Sequence, residues 1–156
     1  ERGFVTIVPQ SAKVTMTVSS NGNVIGSREF GVNRIPAPEV QAFNGNRPVS
    51  VKTGVSVREL RGLKLKAIPD ESFQQSLPND ARFRVAQSEV TLVRSGRAVQ
   101  SAKVNGENLN ISTLAAQARP GDNLVIETKK VQRQNFKKSV EDFANYSGKF
   151  ITIPIK

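Results

Sequence analysis

The sequence predicts an all-β chain with one short helix, in which a terminal β-sandwich at residues 36–156 follows the strands of a second β-domain at residues 1–35. Three observations carry this expectation. Apolar and polar residues alternate with a period of two through most of the chain, the pattern of strands with one buried face. Turn-forming pairs such as Asn21-Gly22 and Ser95-Gly96 break the alternation every eight to twelve residues or so, roughly as in a sandwich. A proline-marked stretch, IPAPEV, separates the first strands from the rest.

The chain opens inside a strand-like run, RGFVTIVP, so it reads as part of a longer protein. In AKVTMTVSS, Val14, Met16 and Val18 alternate with Lys13, Thr15 and Thr17, which marks a half-buried strand. Asn21-Gly22 readily takes the positive φ values of a type I′ turn, and VIGSREFGVNRI returns, with Gly26 or Gly31 available for a bulge. Residues 4–35 therefore read as a strand followed by a hairpin, a unit that buries too little to fold alone. Pro36 and Pro38 donate no amide hydrogen bond and hold their predecessors extended. They make a stiff connector between two packed units, or a kink within one sheet.

In the second unit PVSVKTG and LKLKAI read as short strands, the latter with Leu63, Leu65 and Ala67 on one face and Lys64 and Lys66 on the other. The period of two separates LKLKAI from an amphipathic membrane helix. DESFQQSLPND is polar, contains Pro78, and reads as a loop with room for one helical turn. ARFRVAQSEVTLVRSGRAVQSAKVNG is a hairpin that turns at Ser95-Gly96. Phe83 and Val85 share one parity and Val90 and Leu92 the other, which requires a bulge or bend near Ala86–Ser88. NISTLAAQARPGD is the helix, capped by Asn110 or Ser112, striped by Leu114, Ala115 and Ala118, and ended by Pro120-Gly121. DNLVIETKKVQ is a strong strand. KFITIPIK is the last, with Ile151, Ile153 and Ile155 on one face and Pro154 favouring a sheet edge.

Composition excludes much chemistry. The 156 residues include no Cys, His or Trp, eight Phe and one Tyr, Tyr146. Disulfides, thiol nucleophiles, cysteine zinc sites and the commonest general base are therefore absent, although the lack of Cys does not fix a compartment. No apolar run approaches the roughly 20 residues that cross a bilayer, and the first residues do not resemble a signal peptide. The acid pairs Asp70-Glu71 and Glu141-Asp142 lie in polar stretches and lack calcium-loop spacing. No glycine loop precedes a helix to cradle phosphate. We expect no catalytic, cofactor-binding or metal-binding residues.

The net charge of +10 calls for an acidic partner (nucleic acid, anionic lipid or a protein surface) or else serves solubility. The densest cluster is Lys129, Lys130, Arg133, Lys137 and Lys138, ten positions without an acid. Phe136 is its sole aromatic, too few for a base-stacking platform, so we expect no nucleic-acid binding and take these five as candidate protein-contact residues.

VTMTVSSNGNVIGSREFGVNRIPAPEV resembles the junction of the last two domains of the GldM/PorM proteins, in its turn, its return strand and its R-I-P-x-P connector. ARFRVAQSEVTLVRSG and ISTLAAQARPGDNLVIETKKV resemble the paired strands, short helix and following strand of that family's terminal domain. The stretch QRQNFKKSVEDFANYSG departs from the resemblance, being longer than the compact turn expected before the last strand. The resemblance implies an immunoglobulin-like terminal sandwich in a dimeric periplasmic shaft of the type IX secretion and gliding machinery. It further implies an inner-membrane anchor and motor contact outside these residues, and ring proteins beneath the outer membrane as partners. The competing reading is an envelope adhesion or carbohydrate-binding sandwich, which the absence of Trp and the single Tyr disfavour.

Overall fold

The computed structural model describes residues 3–144, 146 and 149–156, and the chain divides into compact units at residues 1–35 and 36–156. In the first unit β1 (Lys13–Ser20) and β2 (Asn23–Gly31) form an antiparallel hairpin. Asn21 (φ 50°) and Gly22 (φ 82°) make its turn, both on the left-handed side that a type I′ turn demands. Val18 pairs with Gly26 and Ser19 with Val24, so Ile25 is the extra, bulged residue. The strand expected at residues 4–9 is a correction: residues 3–9 pair with nothing among the described residues, and Phe4 and Val5 are 92 % and 78 % exposed. An extended segment becomes a strand only when a neighbour satisfies its amides, and no described residue does so.

The second unit holds two sheets. The smaller has the order β4-β3-β5, built from β3 (Glu39–Asn44), β4 (Arg47–Pro48) and β5 (Leu63–Ile68). The larger comprises β6 (Arg82–Arg94), β7 (Arg97–Asn105), β8 (Asn123–Gln134), β9 (Val140–Asp142) and β10 (Lys149–Pro154). Its central pair is β6–β8; β7 covers the free side of β6, while β10 and β9 share the free side of β8. Val40, Ala42, Leu63, Leu65 and Ala67 of the small sheet share one core with Val90, Leu92, Leu124, Ile126 and Ile153 of the large one. That is a two-sheet sandwich. Helix α2 (Ser112–Gln117) adds Leu114 and Ala115 to the core, and the 3₁₀ turn Glu59–Gly62 adds Leu60.

Three further expectations change. PVSVKTG is not a strand beyond Pro48; it turns at residues 51–53, and Gly54 (φ 69°) passes so close to the Pro154 carbonyl that no side chain fits. DESFQQSLPND contains a second helix, α1 (Glu71–Ser76), because the Asp70 carboxylate accepts the Phe73 amide at 3.0 Å while Pro78 falls beyond the helix end. Phe73 then stacks towards Phe83, which meets Phe143 edge-on at 5.5 Å between centroids. In α2 neither Asn110 nor Ser112 caps: Ile111 holds the cap position without a side-chain bond, so burial of Leu114 and Ala115 fixes this helix.

The parity switch lies where the sequence demands it. Val85 pairs with Val131, Gln87 with Lys130, and Ser88 with Thr128, leaving Ala86 and Lys129 without direct partners. Val85 and Val131 are buried on one side of this offset, and Ser88 and Thr128 on the other. The buried Ser88 and Thr128 hydroxyls have no hydrogen-bond partner among the described residues.

At the far end of β6, Arg94 grips Asp122 with two 2.8 Å bonds, from Nε to Oδ1 and from Nη2 to Oδ2, and Nη2 also reaches the Gln117 carbonyl at 3.0 Å. The Arg119 amide donates to the same carboxylate, and the Asp122 carbonyl accepts the Ile155 amide at 2.8 Å. Hydrogen bonds from Arg94 above all, then from the Arg119 amide, hold the Asp122 carboxyl below its ordinary range. Its stabilising effect is therefore complete above the unfolded value of about 3.9 and is lost as pH falls below that through the depressed folded value. We expect Asp122→Asn to be less stable than the parent at neutral pH and to have a flatter acid limb below about pH 4. Urea midpoints taken from neutral pH to pH 2 check this; parallel acid limbs would contradict it.

Candidate interaction surface

The cluster Lys129, Lys130, Arg133, Lys137 and Lys138 spans the end of β8 and the turn that follows. The offset that switches parity leaves Lys129 and Lys130 both facing solvent, although they are neighbours on one strand. Lys129 reaches Glu127 at 2.6 Å and Glu89 at 3.4 Å, and the Glu127 bond above all raises its pKa. Lys130 reaches Asp142 at 2.9 Å. Asp142 also accepts the Gln132 amide, and that bond, followed by Lys130, depresses its carboxyl.

Arg133 is buried, with 6 % of its surface exposed. Its guanidinium binds Glu141 through Nε and Nη2, and Asp80 through Nη1 at 3.3 Å. Asp80 in turn accepts the Phe136 amide at 3.2 Å. Arg133 is a latch between β8, β9 and the loop before β6.

Lys137 and Lys138 sit at the tip of the turn. Asn135, itself buried, organises it: its Oδ1 accepts the amides of Lys137 and Ser139 at 3.0 and 3.1 Å, and its backbone carbonyl accepts the Lys138 amide at 2.8 Å. Lys138 takes φ 63°, and both lysines are exposed.

The cluster is thus not an unopposed patch. Asp80 and Glu89, far from it in sequence, reach it through the sheet, Glu141 and Asp142 through the hairpin to β9, and of the five cations only Lys137 and Lys138 form no salt bridge among the described residues. Nor is QRQNFKKSVEDFANYSG a plain loop. It completes β8, turns, and forms β9, whose Glu141 and Asp142 are the partners of Arg133 and Lys130. The signal for β9 was the acid pair itself, placed to face two cations across a hairpin. The Asp70-Glu71 pair serves α1, with Asp70 as its cap and Glu71 bonded to Gln75 at 3.1 Å.

Tyr146 is buried at 4 % exposure, so it offers no sugar-stacking platform, and burial pushes its phenol pKa up. The groove beside the cluster, about 200 Å³ between Arg82, Arg84, Gln132 and Val140, is open to solvent on one side, and Arg84 is tied to Gln132 at 2.7 Å within it. Among the described residues no three acids converge as a metal cage requires, and no helix is long and apolar enough to cross a membrane.

A family model described as the GldM C-terminal domain matches residues 36–156, the whole of the second unit. The chain belongs to the GldM family. No curated protein matches it. GldM proteins are components of the gliding and type IX secretion machinery, anchored in the inner membrane and carrying periplasmic domains. This GldM domain devotes most of its candidate cations to holding its own sheet together.

Loss of a buried cation from between two carboxylates is costly, tempered here by the half-exposed Glu141. Arg133→Ala should therefore lower stability by about 2 kcal/mol. Lys130→Ala, which removes an exposed pair, should change it by less than about 0.5 kcal/mol. Urea unfolding of the two variants checks the contrast.

Proposed function

We propose that this chain is a non-catalytic structural and interaction module that links the inner-membrane motor to the outer-membrane-associated ring across the periplasm. The observation that carries the reading is the family match over the entire second unit. The chemistry supports it: the chain has no His or Cys, and its acid pairs are engaged in capping and ion pairs within the fold. On this reading residues 36–156 are the terminal domain and residues 1–35 the closing strands of the domain before it. The anchor and motor contact belong to other parts of the protein.

Of the five candidate cations, Lys137 and Lys138 carry the charge that a ring protein can meet, Lys130 and Arg133 tie β9 to the turn that presents them, and Lys129 is paired on the sheet with Glu127 and Glu89. Association with isolated ring proteins, followed by calorimetry, should weaken as salt rises. Reproducible turnover of a hydrolase substrate, lost on changing Glu141 or Asp142, would overturn the non-catalytic reading; absence of any association with ring proteins would overturn the linking role.

The same reading makes the chain a homodimer through its first unit. Val14, Met16, Val18 and Phe30 share one face of the hairpin, and Met16, Val18 and Phe30 are more than 40 % exposed. An apolar face with free strand edges is a template for a second copy. Light scattering should report a dimer for the full chain and a folded monomer after deletion of residues 1–35. A monomeric full chain at high concentration would contradict this.

A further inference from the structure

Folding pairs three of the five cations at residues 129–138, and a second group of unpaired cations lies elsewhere. Between residues 47 and 66 the chain carries Arg47, Lys52, Arg58, Arg61, Lys64 and Lys66 against a single acid, Glu59. Among the described residues none of these six cations forms a salt bridge. Glu59 is already engaged, since its carboxylate accepts the Ser56 amide at 2.7 Å and the Ser56 hydroxyl at 2.8 Å. Those bonds, the backbone one foremost, hold its carboxyl below the ordinary range.

The fold gathers part of this charge on one face. Leu63, Leu65 and Ala67 are buried, so Lys64 and Lys66 stand on the outward face of β5. The register sets Phe43 of β3 opposite Lys64 and Gln41 opposite Lys66. The Lys66 ammonium lies 4.6 Å from the centre of the Phe43 ring. Arg61 is exposed in the turn that leads into the strand.

We propose that this outward face of the β3–β5 sheet docks an acidic segment of a partner protein in extended conformation. The proposal rests on the reading above for the existence of a protein partner and names the face and chemistry that receive it. Lys64 and Lys66 are spaced as alternate residues of a strand, about 7 Å apart, which is also the spacing of alternate side chains in an extended peptide. Carboxylates on every second residue of such a peptide meet both ammonium groups at once. Phe43 and Ile68, both half-buried on this face, supply the apolar contact that protein interfaces place beside their charges. A nucleic acid finds no free ring to stack on, because the Lys66 ammonium occupies the ring face. A membrane finds no amphipathic helix here to insert.

The test uses the full chain and a short fluorescein-labelled peptide of alternating glutamate and threonine, followed by anisotropy. We expect binding that weakens with salt, falls about tenfold or more in K64E/K66E, and falls to a lesser extent in K64Q/K66Q. R97E/K103E, a reversal of equal size at two exposed cations of β7, should change it by less than about twofold. Circular dichroism and urea midpoints verify that each variant is folded. The proposal is overturned if the peptide fails to bind, if K64E/K66E binds it like the parent, or if R97E/K103E loses as much. It is equally overturned if phosphatidylglycerol vesicles or a single-stranded oligonucleotide bind more tightly than the peptide through Lys64 and Lys66. Peptide binding that requires these lysines in a chain that ignores ring proteins supports the face and counts against the ring as its partner.

Discussion

Strands β6 and β8 hold each other from Arg82 to Val93 and from Gln134 to Asn123, and every other strand of the larger sheet hangs from one of them. Their pairing survives a change of parity near the middle, and the two ends of the pair consequently serve different neighbours. Towards Val93 the inward residues Val90, Leu92, Leu124 and Ile126 pack against the small sheet. Towards Arg82 the inward residues are Val85, Val131 and Arg133, and the pair receives α1, β9 and the Phe73–Phe83–Phe143 contact instead. One offset of a single residue in each strand thus lets a long ribbon keep Val85 and Val131 in the same core as Val90 and Ile126 although their parity differs. The hydroxyls of Ser88 and Thr128, buried and without a hydrogen-bond partner among the described residues, lie at that offset.

Charge in this domain divides into two kinds. Arg94 and Arg133 are structural: each is held by a carboxylate supplied from a distant part of the chain, and each fixes a loop that has little apolar surface of its own. Arginine suits these places because its planar fork satisfies two or three acceptors together. The lysines of β5 are of the other kind. They sit at alternate positions on an outward face, with no acid opposite them in the register of β3 apart from Glu39, which faces Ile68 and is bonded to Gln41.

The strands were legible wherever one face is buried and long enough to repeat. LKLKAI, ARFRVAQSEVTLVR and DNLVIETKKVQ each show three or more alternations, and even the bulge near Ala86–Ser88 follows from the parity of Val85 against Val90. The helix cap at Asp70 was harder to read, because Pro78 reads as a breaker although it lies outside the helix. RGFVTIVP has strand composition without a partner, and composition alone cannot supply the amides on the other side. The charged cluster misled for a related reason. Linear spacing shows which cations are neighbours along the chain, whereas Glu89, Asp80 and Glu141 are neighbours only through the sheet and its hairpin. Period-two faces can be read locally; electrostatic pairing across strands cannot.

The last strand has a kinetic consequence. β10 completes β8 along Asn123–Pro154 pairing, and beyond it Ile155 lies parallel to Val55 while the Val55 amide donates to the Pro154 carbonyl. The two segments joined here are about a hundred residues apart, so their closure costs chain entropy long before any contact repays it. During synthesis the Gly54–Val55 turn and one long edge of β8 must wait for β10 to arrive. Until then that edge is a bare row of amides and carbonyls, the form of a chain most open to pairing with the wrong strand. Pro154, unable to donate a ladder bond, lies on the edge strand that seals it.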